Sequence, residues 1–208
     1  MPKKIFITGI GTDVGKTVIA AIITEALKAD YWKPIQAGDL TWSDTDRVKA
    51  LVSNSISYFH ENSYALHTPM SPHAAAAIDG ITIGLDKIVT PVTTNNLVIE
   101  GAGGLLVPLN NKNTVLDLIK NDWKVIVVSR HYLGSINHTL MTLEFLRQRG
   151  ITPYLIFNGE AHQTTESVIQ EMTKVPVIGR INEETEITPE VVRKYANLLR
   201  ENLFKIEE

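Results

Sequence analysis

The chain has 208 residues and a mass of 23.1 kDa, with 44% hydrophobic and 21% charged residues, 13 Gly and 9 Pro. That balance excludes a disordered, collagen-like or low-complexity chain and points to one globular domain over 1–208. Net charge is −3, no basic run exceeds two residues and there is no cysteine; this argues against a nucleic-acid partner and excludes disulfides, thiolate metal sites and a cysteine nucleophile.

Residues 5–10 are mostly apolar, but Asp13 and Lys16 interrupt the run before a signal-type segment forms. No apolar stretch reaches membrane-spanning length, so no membrane partner and a cytoplasmic location are expected. Apolar runs predict strands over 4–8, 31–35, 96–100, 124–129, 153–158 and 176–181. Most are apolar at consecutive positions, as in parallel strands covered on both faces. Amphipathic stretches predict helices over 16–28, 45–52, 71–78, 85–89, 115–121, 135–149, 165–173 and 189–204. The alternation predicts a three-layer α/β/α domain with a mainly parallel central sheet and right-handed crossovers. Residues 54–95 are the least regular and are expected as an excursion over the site. In the last helix Val191, Val192, Tyr195, Leu198, Leu199 and Phe204 are expected to form one buried stripe.

GIGTDVGKT, residues 9–17, joins the first predicted strand to the first predicted helix. That context suits a phosphate-binding loop. Glycines let successive N–H groups turn inward, and the helix start adds partial positive charge. Lys16 can reach terminal phosphates and the Thr17 hydroxyl can ligate Mg²⁺. Five residues separate Gly9 from Gly15, one more than the usual form of the loop allows.

Asp44 follows the second strand and can hold Mg²⁺ opposite Thr17. Asp39 and Asp46 compete for that role, and any of the three can instead cap the helix at Thr45. Glu100 ends an apolar strand and meets the run Gly101-Ala102-Gly103-Gly104, at the strand end that faces a ligand crevice. Lys33 lies within a short apolar strand, where a charge needs a partner; it points into the crevice or sits in water at a sheet edge. None of the six histidines has the spacing of a paired helical metal site. Ser71-Pro72-His73 and the segment 133–138 (LGSINH) each open a helix whose free N–H groups can hold an anionic substrate.

Together these segments resemble the dethiobiotin synthetase family, of phosphate-loop NTPase type. The matching segments are GIGTDVGKT, then KPIQAG at 33–38, SD at 43–44, MSPH at 70–73, EGAGG at 100–104, LGSINH at 133–138 and the strand-end Asn158. The long loop spacing is itself a family feature. The resemblance implies an ATP- and Mg²⁺-dependent enzyme that joins CO₂ to 7,8-diaminononanoate and closes a cyclic urea, through a carbamate and its mixed anhydride with phosphate. It implies nucleotide contacts from Thr12, Asp13, Val14, Gly15, Lys16, Thr17 and Val18, from Asp44, from Glu100, Gly101, Ala102 and Gly103, and from Asn158 at the adenine. It implies metal ligation by Thr17, Asp44 and Glu100, catalytic charge from Lys16 and Lys33, and substrate contacts from Lys33, Ala37, Ser71, Gly134, Ser135 and Asn137. Ala37 stands where the family often has Ser or Thr, and Asp13 where it often has Glu. Asn182 stands where it often has proline.

Family members are homodimers in which LGSINH reaches the partner's substrate, so a two-fold dimer with substrate at the interface is expected. Gly134 allows close approach and Ser135 is expected to cap the next helix. That helix offers Leu140, Met141, Leu143, Phe145 and Leu146, more apolar surface than one sheet contact needs. The alternative is a switch ATPase of the partitioning and septum-positioning class. Its signature lysine lies five positions before the loop lysine, where this chain has Gly11.

Overall fold

Side chains at consecutive positions of the central strands are out of water on both faces. Ile5, Phe6, Ile7, Leu97, Val98, Ile99, Val125, Ile126, Val127 and Val128 are all 0% exposed. That burial requires helices on both sides of a parallel sheet. The computed structural model describes residues 2–207. In chain order the strands are β1 (Lys4–Gly9), β2 (Asp30–Trp32), β3 (Ile35–Ala37), β4 (Phe59–His60), β5 (Tyr64–Leu66), β6 (Leu97–Gly104), β7 (Lys124–Arg130), β8 (Pro153–Asn158) and β9 (Val177–Ile181). The helices are α1 (Lys16–Leu27), α2 (Asp44–Leu51), α3 (Pro72–Ile78), α4 (Ser135–Gln148), α5 (Gln163–Thr173) and α6 (Pro189–Glu207).

Seven strands form one sheet in the order β4-β2-β6-β1-β7-β8-β9, all paired in parallel. Helices α1, α2 and α6 pack together, while α4 and α5 pack against each other beside β7 and β8. This is the expected three-layer architecture. Because the strands are parallel, the C-terminal ends of β1, β2, β6 and β8 share one edge, which is where ligands bind in such sheets.

Four expectations are corrected. The strand expected over 31–35 is broken: β2 ends at Trp32, and β3 pairs with β5 in a separate two-stranded sheet. Pro34 lies at the break and has no N–H to continue the ladder. The strand does not end at Glu100: the glycine run that follows is the last half of β6. The segments expected as helices over 85–89 and 115–121 are short 3-10 turns, Leu85–Lys87 and Val115–Leu118. In α6 the buried stripe is Val192, Tyr195, Ala196, Leu199, Leu203 and Ile206, while Leu198 is 66% and Phe204 49% exposed. The observed stripe steps by three and four; Leu198 and Phe204 each fall one position off it.

Candidate active site

The loop between β1 and α1 turns through two left-handed residues, Asp13 (φ 55) and Gly15 (φ 93). Asp tolerates this region better than most residues with a side chain, which gives the short Asp13 a local reason. Gly15 has no such latitude, since a Cβ there would also collide with the Asn158 amide. Gly15 caps α1 without any side-chain hydrogen bond, so the first-turn N–H groups are not taken by a capping side chain. Lys16 folds back over the loop and donates from Nζ to the Gly11 carbonyl at 2.9 Å. Burial lowers its pKa to about 8, against the opposing pull of the Glu100 carboxylate.

Beside the loop, Lys33 leaves the end of β2 and is only 5% exposed. Its Nζ lies 2.6 Å from Asp44 Oδ2 and 2.8 Å from Glu100 Oε1. Burial opposes the charge, but Glu100 and Asp44 together hold the lysine pKa above its usual value. Burial likewise opposes ionisation of Asp44, and the Lys33 charge overrides it to hold the carboxyl below its usual range. The lysine is therefore an ammonium and not a neutral base. The water-exposed edge alternative for Lys33 is excluded.

Thr17 Oγ1 donates to Glu100 Oε1 at 3.0 Å, and the Tyr31 hydroxyl donates to Oε2 at 2.8 Å. Tyr31 is wholly buried; burial and the adjacent Glu100 charge push its phenol well above the usual range. The question of what caps α2 resolves in favour of Ser43, which forms a reciprocal capping box with Asp46. Asp44 is the first helical residue and is released from capping to face Lys33. Gln36 ties this corner together: its Nε2 donates to the Gly38 carbonyl at 2.9 Å and its Oε1 accepts from the Asp44 N–H at 3.3 Å.

Lys16, Thr17, Lys33, Gln36, Asp44 and Glu100 line one cleft of about 760 Å³. Thr12, Asp13, Gly15, Lys16, Thr17, Val18, Lys33, Ala37, Asp44, Ser71, Glu100, Ala102, Gly103 and Asn158 all reach it. Val14 and Gly101 do not line it. The Val14 side chain is buried, and its carbonyl accepts from Asn158 Nδ2 at 2.9 Å. Gly101 is buried against Phe6. Gly134, Ser135 and Asn137 also lie outside this cleft. Ser135 does not cap α4: Gly134 is the cap, and Ser135 is a buried first-turn residue. Of the five apolar side chains expected to pack from α4, only Leu143 and Leu146 are fully buried, while Met141 and Phe145 are 48% and 37% exposed.

Beyond Asn158, the cleft is closed by Arg130, Gly159 and residues 181–184 and 187. Arg180 braces that end, donating to the Gly159 carbonyl at 2.7 Å and pairing with Glu166. His131 Nε2 also meets Glu166, at 2.8 Å. Tyr31 escaped the sequence reading, and Gln36 entered it only within the segment KPIQAG, without a role of its own. The available signal was period two: Tyr31 and Lys33 are two positions apart in the stretch expected as one strand, a spacing that shares a face.

The profile of a family described as an AAA domain matches residues 3–191. A protein named ATP-dependent dethiobiotin synthetase BioD from Christiangramia forsetii is 59% identical, covering 99% of this chain and 100% of its own. One of the same name from Cytophaga hutchinsonii is 47% identical, covering 98% of this chain and 100% of its own. Among solved structures, the MinC:MinD cell division complex of Aquifex aeolicus matches with a TM-score of 0.59 at 16% identity, covering 99% of this chain and 95% of that one. A plasmid partition protein of Borrelia burgdorferi matches with a TM-score of 0.58 at 18% identity, covering 98% and 99%. These distant structures share the fold alone, so they do not favour the switch-ATPase alternative. Identity along essentially the whole length decides the matter: the chain belongs to the dethiobiotin synthetase family.

Proposed function

We propose that the chain closes the urea ring of dethiobiotin from 7,8-diaminononanoate and CO₂, using ATP and releasing ADP and phosphate. The observation that carries this reading is the Lys33 ammonium, clamped between Asp44 and Glu100 beside the phosphate loop. One amine takes up CO₂ and becomes a carbamate. A carbamate oxygen attacks the γ-phosphorus of ATP, and ADP leaves. The second amine attacks the carbonyl carbon of the mixed anhydride, and phosphate leaves as the ring closes. No covalent enzyme intermediate is needed, so the protein's work is positioning and charge neutralisation. Lys16 and the α1 N–H groups meet the phosphates. Lys33 faces the carbamate and the moving phosphoryl group. Asn158 takes the adenine.

Thr17, Asp44 and Glu100 would hold Mg²⁺, which neutralises phosphate charge when bound. They fit such an ion. Their oxygens are hard donors, and the two carboxylates already gather round a cation, the Lys33 ammonium. Among the described residues no cluster of three or more His, Asp or Glu is arranged for a metal. Two carboxylates and a hydroxyl, completed by substrate phosphates, is the habit of Mg²⁺.

The working form is proposed as a homodimer in the cytoplasm, with the diamine between subunits. Exposed Leu106, Leu133, Ile136, Met141 and Phe145 support the dimer, since they leave an apolar surface around the start of α4. The position of Gly134, Ser135 and Asn137 outside the cleft fits a role toward the partner's substrate. No helix among the described residues is long and apolar enough to cross a membrane. The test is phosphate release from ATP with and without the diamine and bicarbonate. Turnover that needs both supports the synthetase; turnover indifferent to the diamine refutes it.

A further inference from the structure

We propose that Tyr31 sets the metal preference of the cleft by restricting Glu100 to one-oxygen coordination. The inference rests on the reading of Glu100 as a metal ligand, and it deepens that reading.

Glu100 is 1% exposed, and its two oxygens have separate neighbours. Oε1 accepts from Thr17 Oγ1 and Lys33 Nζ, both groups of the cleft. Oε2 points the other way and accepts from the Tyr31 hydroxyl at 2.8 Å, inside the protein. The arrangement follows from the sheet. Tyr31 is registered beside Val98 on the neighbouring strand. Glu100 is two residues beyond Val98 in β6, so Tyr31, Val98 and Glu100 begin on one face, and Lys33, just past the end of β2, reaches the same carboxylate. Tyr31 and Lys33 flank the carboxylate, one from below and one from the cleft. The Tyr31 ring cannot easily withdraw, since it is 0% exposed and packs at 6.2 Å from the Phe59 ring.

A divalent ion distinguishes these two oxygens. Mg²⁺ is small, demands near-octahedral geometry and takes one oxygen from each carboxylate. Ca²⁺ is larger, accepts irregular geometry and readily takes both oxygens of one carboxylate. A carboxylate whose inner oxygen already accepts a phenol hydrogen is a ready-made one-oxygen ligand. Without that hydrogen bond, Oε2 loses its donor and is free to turn toward the cleft, which suits the larger ion.

The test uses the full chain with a non-hydrolysable ATP analogue, titrated calorimetrically with Mg²⁺ and, separately, with Ca²⁺. Tyr31→Phe keeps the ring and its packing while removing the donor. The expected result is a shift in the ratio of the two dissociation constants, by at least about tenfold toward Ca²⁺, the scale of one hydrogen bond to a charged group. Binding of the analogue without metal should not change. A purely structural role for the hydroxyl would lower the melting temperature and weaken both metals in equal proportion; that result, or no change in the ratio, overturns the proposal. Glu100→Gln separates the two levels. If it leaves both metal affinities unmoved, Glu100 is not a ligand and both readings fail. If it weakens them while Tyr31→Phe leaves the ratio intact, only the Tyr31 inference fails.

Discussion

The Asn158 amide donates from Nδ2 to the Val14 carbonyl at 2.9 Å, joining the end of β8 to the phosphate loop across 144 residues of sequence. One N–H is thus spent on the loop, while the rest of the amide faces the cleft. That bond fixes the residue in place. Asn158→Asp keeps the size but sets a carboxylate oxygen against the Val14 carbonyl oxygen. The KM for ATP should rise about tenfold or more, with kcat at saturating ATP less affected. Steady-state kinetics over a wide ATP range checks this, and an unchanged KM would remove Asn158 from the nucleotide site.

Lys16 should make ATP binding depend on pH in a definite direction. Its pKa is lowered to about 8 by burial, below its unfolded value of about 10.4. Folding alone therefore releases a proton between those values, and the unliganded protein gains stability from this group as pH rises through that window. Phosphate restores the favourable charge environment, so ATP binding at pH 9 should take up a fraction of a proton. Calorimetry in two buffers of different ionisation enthalpy measures the uptake. Lys16→Ala should abolish the uptake and the turnover while leaving the fold intact.

Lys33→Ala should lower kcat more than it weakens ATP binding, because its charge serves the carbamate and the phosphoryl in flight. It should also destabilise the protein by about 3–5 kcal/mol, since Glu100 would be left buried without its cation. Thermal melting and kinetics read the two effects separately. A variant altered only in the KM for ATP would contradict the assigned role.

Light scattering should report about twice 23.1 kDa. Phe145→Glu, on the exposed face of α4, should shift the protein toward the monomer. Asn137→Ala should weaken diamine binding and spare ATP. A monomer that turns over normally at high dilution would falsify the shared site.

The legible part of the site was the part built from neighbours in sequence. GIGTDVGKT carries its own geometry, because the glycines, the lysine and the helix start are all within one loop. Glu100 was legible as the charged end of an apolar strand. What joins them was not. The Lys33 pairing with Asp44 and Glu100 depends on β2 lying beside β6, which no local pattern specifies. Tyr31 carried no mark beyond its two-residue spacing from Lys33, since a hydroxyl in an apolar strand declares its role only once its partner is known. The strands β4 and β5 have two and three residues, too few for any periodicity to declare itself.

The break after Trp32 has a mechanical side. The chain leaves the main sheet at Lys33 and enters the small one at Ile35. The fork is pinned: Asn62 Nδ2 donates to the Lys33 carbonyl at 2.7 Å, and the N–H groups of Ser63 and Tyr64 reach the Pro34 carbonyl at 2.9 and 3.1 Å. Downstream of it, the small sheet adjoins α3, and Ala37 and Ser71 form one wall of the cleft. The Lys33 ammonium therefore sits at the root of this wall. Only Pro34 stands between Lys33 and this wall, whereas the phosphate loop hangs from β1 in the main sheet. The two sides of the cleft are thus carried by separate sheets, with a buried ammonium at their junction.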